Sequence, residues 1–87
     1  MQQTVELIIS GKVQGVWFRH HTREAAALIG IKGTVENVQD GTVRIVATGT
    51  EEQIDKLKLW CKKGSPLSRV DHISIRLLPL AEFDSFH

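Results

Sequence analysis

Gly11-Lys12-Val13-Gln14-Gly15-Val16-Trp17-Phe18-Arg19 joins two stretches whose apolar residues recur with different periods. Before it, Val5, Leu7 and Ile9 alternate with Thr4, Glu6 and Ser10, the pattern of a strand with one buried face. After it, Phe18, Thr22, Ala25 and Ile29 fall on one helical face with Ala26 beside them, while Arg23 and Glu24 turn away. A loop between a strand and a helix can aim several backbone N–H groups at one point. The first helical N–H groups lack partners and the helix dipole is positive there, so the point attracts anions. Arg19, in the first turn, adds a planar and permanently charged fork.

Outward from this loop the other elements follow. Gly30 suits the position after the last turn of the helix, and Ile31 to Val38 reads as a second strand. Asp40-Gly41 predicts a tight hairpin turn with positive φ at both central positions, and Thr42 to Thr48 returns with Val43, Ile45 and Ala47 on one face. Gly49 is expected to break that strand. Thr50-Glu51-Glu52-Gln53 has capping-box spacing and opens a second helix with Ile54, Leu57 and Cys61 as its apolar stripe. Lys62 and Lys63 lie in its last turn, and Gly64 and Pro66 end it. Val70 to Leu78 alternates as a final strand closed by Pro79, and the last eight residues are expected to add a short edge piece.

The order β-α-β-β-α-β with right-handed crossovers predicts an α+β fold, a ferredoxin-like βαββαβ sandwich with an antiparallel sheet and two helices on one face. The first and second strands then run parallel with the third between them. Their C-terminal ends share one sheet edge, bringing Asn37 near the Gly11–Arg19 loop. Backbones two strands apart are separated by roughly 10 Å, a gap that an arginine side chain and a phosphate fill.

The 87 residues predict one domain over 1–87, with 41% hydrophobic and 24% charged residues, as in ordinary soluble proteins. A net charge of +1 gives no general attraction to nucleic acid or anionic membrane, so an anion site has to be local. The single cysteine, Cys61, forms no intrachain disulfide and sits on an apolar helix stripe. No apolar run reaches the length of a membrane span, and the start Met-Gln-Gln-Thr lacks a signal-peptide pattern, so a cytoplasmic location is expected. His20 and His21 are adjacent and point about 100° apart on a helix. With His72 and His87 they complete no metal-ligand spacing, so packing or solvated histidines are expected. Lys56, Lys58, Lys62 and Lys63 read as a solvated basic patch that complements the helix dipole. Taken alone, Asn37 also reads as a residue entering the Asp40-Gly41 turn.

Gly-x-Val-Gln-Gly-Val-x-Phe-Arg resembles the signature of acylphosphatases, and Gly11 to Arg19 matches it throughout. Gly33-Thr34-Val35-Glu36-Asn37 followed by Asp40-Gly41-Thr42-Val43 is similar to the family's second motif. Gly64-Ser65-Pro66, with Ser68, Val70 and Asp71 after it, is similar to the segment following its second helix. The resemblance implies hydrolysis of acyl phosphates to a carboxylate and inorganic phosphate, without metal or cofactor. It implies catalytic roles for Arg19 and Asn37 and a phosphate-binding loop of Gln14, Gly15, Val16, Trp17 and Phe18. It implies a small-molecule acyl phosphate as partner, with neither nucleic acid nor membrane, and nothing demands more than a monomer. Two departures stand out: Thr34 replaces the aromatic residue common before the valine, and His87 follows shortly after Phe86, where relatives often continue as an edge strand.

Three other classes share features with this reading. RNA-recognition motifs have the same order of elements, but they stack bases on sheet aromatics; the chain has no Tyr, and its first and third strands carry no aromatic residue. A regulatory domain of this fold binds a phosphate compound without turning it over. A detached copy of the acylphosphatase-like domain of larger carbamoyl-transferring maturation proteins is the third, and the end of the sequence at His87 is expected to speak against it.

Overall fold

A computed structural model describes residues 1–87. In chain order the elements are β1 (Gln2–Lys12), α1 (Phe18–Ile29), β2 (Lys32–Asn37), β3 (Val43–Thr50), α2 (Glu51–Lys63) and β4 (Arg69–Leu78). The sheet order is β2-β3-β1-β4 with antiparallel neighbours throughout. β1 and β2 are therefore parallel, with β3 between them, and the α+β ferredoxin-like arrangement is as expected.

The period-two face of β1 and β3 makes the floor of the core: Leu7, Ile9, Val43, Ile45 and Ala47 have almost no exposed surface. Phe18 of α1 and Leu57 and Cys61 of α2 close it from above. Phe18 meets Trp60 at a ring separation of 5.3 Å, joining the two helices. Each helix buries the predicted stripe, with Ala26 taking a fuller share than Ile29.

The helices begin in opposite ways. Thr50 Oγ1 accepts from Gln53 N at 3.2 Å and Gln53 Oε1 accepts from Thr50 N at 2.9 Å, so α2 carries a complete capping box. α1 begins after Trp17 with no side-chain cap at all. Gly30 ends α1 in the left-handed conformation, as its position in the sequence predicts.

Three local expectations are corrected. The hairpin is not a two-residue turn with positive φ twice, because only Gly41 has positive φ (95°). Gly41 N donates to Val38 O and Val38 N to Thr42 O, enclosing the three-residue loop Gln39-Asp40-Gly41. Asp40 Oδ1 accepts from Thr42 N and Thr42 Oγ1, and that local bonding holds Asp40 in ordinary backbone space. Gly49 does not break β3 but pairs with Gln3 inside it. A side chain there would run into Gln53 and Ile31, so the glycine serves close packing against α2 and the connection that follows α1. The apolar alternation of β4 buries little: Val70 and Ile73 are half-buried, whereas Ile75 and Leu77 are exposed, because β4 is an edge strand.

The last residues do supply an edge piece. Gly33 N donates to Ser85 O and His87 N to Gly33 O, placing Phe86 in parallel pairing beside β2. The chain reaches that edge from β4 by crossing the helix-free face. There Ala81 N donates to Thr4 Oγ1, and Thr48 Oγ1 donates to Ala81 O at 2.7 Å.

Candidate active site

Where β1 gives way to α1, the loop is fixed by contacts that leave its N–H groups unused. Gln14 Nε2 donates to both Val38 O and Thr42 O at 2.8 Å, tying the loop to the β2–β3 hairpin. Ser65, buried after α2, donates from Oγ to Val16 O at 3.2 Å. A trans peptide opposes its C=O and N–H, so holding the Val16 carbonyl inward turns the Trp17 N–H outward. Gly15 and Trp17 both take left-handed backbone angles, φ 72° and 62°. For tryptophan that conformation is uncommon and costs roughly 1–2 kcal/mol. Such a conformation persists only where surrounding contacts hold it, here those of Gln14 and Ser65.

The consequence is a run of free donors. No backbone N–H from Gly15 through His20 donates to a carbonyl; the first such bond of α1 is His21 N to Trp17 O. With no side-chain cap on the helix, these groups and the positive end of its dipole face outward together.

This region forms one wall of a cavity of about 430 Å³. Gly15, Trp17, Phe18 and Arg19 line it from the loop and first turn, and Asn37 lines it from the end of β2. Arg19 takes part in none of the protein's ion pairs, so its guanidinium is available to a ligand. The chain crossover thus brings Arg19 and Asn37 to the same cavity, as the order of elements predicts. Gln14 and Val16, the other two residues expected in the loop, do not line it. The Gln14 amide tethers the hairpin and the Val16 side chain is buried in the core.

Val13, His20 and Arg23 also line the cavity and escaped the sequence reading as site residues. Arg23 lies one helical turn beyond Arg19, a spacing visible in the sequence. The apolar stripe turns it away from the core, and a direction away from the core includes the cavity as well as open solvent. The nearest carboxylate on the helix, Glu24, is taken up by His20 Nε2 at 3.4 Å and His21 Nδ1 at 3.2 Å. No carboxylate lines the cavity, so its ionic character is cationic.

Other chemistry-bearing groups are accounted for elsewhere. Burial pushes the Cys61 thiol up to about 12, which leaves it protonated at neutral pH and unsuited to nucleophilic work. No cluster of three or more His, Cys, Asp or Glu groups is arranged to hold a metal ion. No helix is long and apolar enough to cross a membrane.

A ferredoxin-like domain with unpartnered main-chain donors and an arginine at the β1–α1 junction, and an amide across the sheet edge, is the class this geometry defines. The acylphosphatase family model matches residues 5–87. The acylphosphatase of Methylococcus capsulatus is 40% identical over 83 residues, covering 94% of this chain and 90% of that protein. The Acaryochloris marina acylphosphatase is 42% identical, with 94% and 88% covered. The crystal structure of the Bacillus subtilis acylphosphatase is similar at a TM-score of 0.93 and 34% identity, covering 99% of this chain and 96% of that one. Full-length HypF is also similar, at a TM-score of 0.92 and 30% identity, but over only 11% of its own length. The chain belongs to the acylphosphatase family and is a hydrolase of the carboxyl–phosphate bond.

Proposed function

We propose that the backbone N–H groups of Gly15 to Phe18 and the Arg19 guanidinium hold the phosphoryl oxygens of an acyl phosphate while Asn37 positions the attacking water. An acyl phosphate is a mixed anhydride with a good carboxylate leaving group. Its hydrolysis needs placement and charge stabilisation more than covalent help. The bond from phosphorus to the carboxylate oxygen breaks as the water oxygen bonds to phosphorus on the opposite side. Asn37 guides that water by hydrogen bonding and does not take its proton. The proton passes to a phosphate oxygen or to bulk water. Free main-chain donors, an unpaired arginine and an amide around one cavity support this reading.

Gln14 and Val16 contribute differently from the rest of the loop: the Gln14 side chain sets the loop's distance from the Asn37 hairpin, and Val16 acts through its main chain. Charge neutralisation by Arg19 and the main-chain donors makes the proposed reaction independent of metal. The single domain, residues 1–87, acts as a monomer on a small molecule in the cytoplasm, without nucleic acid.

Benzoyl phosphate hydrolysis and phosphate binding test the roles together. Arg19→Lys should lower kcat/KM by roughly 10²–10³-fold, since a point ammonium does not reproduce a bidentate fork. Asn37→Ala should lower kcat by about 10²-fold with phosphate affinity nearly unchanged. Activity should survive a chelator. Turnover near wild type in either variant removes that residue from the mechanism.

A further inference from the structure

The net charge of +1 is the sum of two unlike ends. α2 starts where β3 stops and packs back along it, so its last turn lies at the end of the molecule that holds the β1–α1 loop. Ser65, just past that turn, bonds to Val16 O at 3.2 Å, and Gly64 abuts Phe18 and Val70. Lys62 and Lys63 are the last two residues of α2, and both are exposed. Lys62 shares a surface depression with Val70 to Ile73 at the start of β4. Lys12, the exposed last residue of β1, pairs across the sheet with Arg69 at the same end. None of the three lysines has a carboxylate partner.

The carboxylates of that end are largely engaged. Arg69 holds Asp71 at 2.9 Å, His20 and His21 hold Glu24, and Arg44 holds Glu36. Asp40, on the hairpin beyond Asn37, is bonded to Thr42 alone. The far end carries the opposite excess. Glu51 and Asp55 of α2 form no ion pair, and neither do Glu82 and Asp84, which share a depression with Lys32. The negative end of the α2 dipole, about half a unit of charge, offsets only part of two lysines.

We infer that Lys12, Lys62 and Lys63 form a steering surface that draws the anionic substrate to the β1–α1 loop from outside the cavity. This rests on the acyl phosphate reading of the site and adds how such a substrate is captured. The lysines line no part of the cavity, so they act through their field and not by contact. At an ionic strength of about 0.01 M the screening length is roughly 30 Å, close to the 33 Å length of the molecule. At about 1 M it is roughly 3 Å, and a field from outside the cavity no longer reaches the ligand. Substrate and transition state feel that field alike, so it is read in KM and not in kcat.

A triple variant, Lys12→Gln with Lys62→Gln and Lys63→Gln, is compared with a charge-matched one, Lys32→Gln with Lys56→Gln and Lys58→Gln. On benzoyl phosphate at about 0.01 M ionic strength the first should lose about fivefold in kcat/KM, through KM. The second should lose less than about twofold, because the same charge is removed further from the loop. Lys62→Gln with Lys63→Gln alone should lose about threefold, which keeps the test intact if Lys12→Gln disturbs β1. All these differences should vanish toward 1 M salt, and affinity for inorganic phosphate should follow the same order. Equal losses in the two triples, a loss that salt does not remove, or a fall in kcat would overturn the steering role. Absence of benzoyl phosphate hydrolysis by the wild-type protein would instead overturn the acyl phosphate reading. Phosphate affinity then still decides the steering, which fails if wild type and the first triple bind phosphate equally at low salt.

Discussion

Gln14 shows how one side chain couples the two halves of the site. Its amide nitrogen spends both protons on the hairpin that follows Asn37, so the distance between the Gly15–Phe18 loop and Asn37 is set by two 2.8 Å bonds. Removing them frees the Gly15–Phe18 loop to drift from Asn37, which the proposed mechanism needs at a fixed distance. Displacements of about 1 Å cost up to about 10²-fold in such reactions. Gln14→Ala should therefore lower kcat/KM by about tenfold, and it should cost about 1–2 kcal/mol of stability for the lost bonds. Steady-state kinetics and urea unfolding check the two parts; loss of stability with unchanged kinetics would show that the tether does not position Asn37. Cys61 makes a sharper case. Its thiol is buried and held protonated, so a thiol-reactive dye should label it only at the rate of unfolding. Stopped labelling in native buffer against rapid labelling in denaturant measures this, and prompt native labelling would contradict the burial.

The two helices begin in opposite ways. α2 satisfies its own first turn through Thr50 and Gln53, whereas the first donors of α1 have no protein partner. Thr50→Ala should cost about 1 kcal/mol, lowering Tm by about 4–8 °C with kcat/KM unchanged; calorimetry with an activity assay tests it. These contrasts also explain which elements were legible. The α2 cap, both apolar helix stripes and the buried faces of β1 and β3 depend on local spacing, and local spacing is what a sequence displays. The Asp40-Gly41 dipeptide suggests a shorter turn than forms, because side-chain bonds from Asp40 stabilise a longer loop. The reason for Gly49 lies away from its own strand, on Gln53 and Ile31, where local spacing does not reach. The meeting of Arg19 and Asn37 was legible through the crossover rule alone. Arg23 was not, since helical periodicity separates core from non-core and does not tell a cavity wall from open solvent.

The alternation that marks β1 as half-buried also assigns Glu6 to water, and the whole sheet contradicts it. Across the helix-free face a row of charges spans all four strands. Glu36 meets Arg44 at 3.2 Å, Arg44 meets Glu6 at 2.7 Å, and Glu6 meets Arg76 at 2.8 Å. The Glu6 side chain is only 9% exposed, covered by the two arginines that pair with it. The Arg44 guanidinium, more than any other group, holds the Glu6 carboxyl below its usual range. Arg76 adds to the effect, and desolvation offsets part of it. In the unfolded chain the same carboxyl titrates near the ordinary value of about 4.3. Because the folded value is the lower one, the pairing stabilises the protein fully above the unfolded pKa. As pH falls through the folded value, that contribution is lost. Glu6→Gln removes the charge but keeps the shape, leaving Arg44 and Arg76 facing an amide. It should cost about 2 kcal/mol at pH 7. Urea unfolding from pH 7 to pH 3 should show wild-type stability converging on that of the variant as acidity rises, with kcat/KM at pH 7 equal in both. Parallel stability curves over that range would mean that Glu6 titrates alike folded and unfolded, and that the row of charges across the sheet contributes geometry without pH-dependent stability.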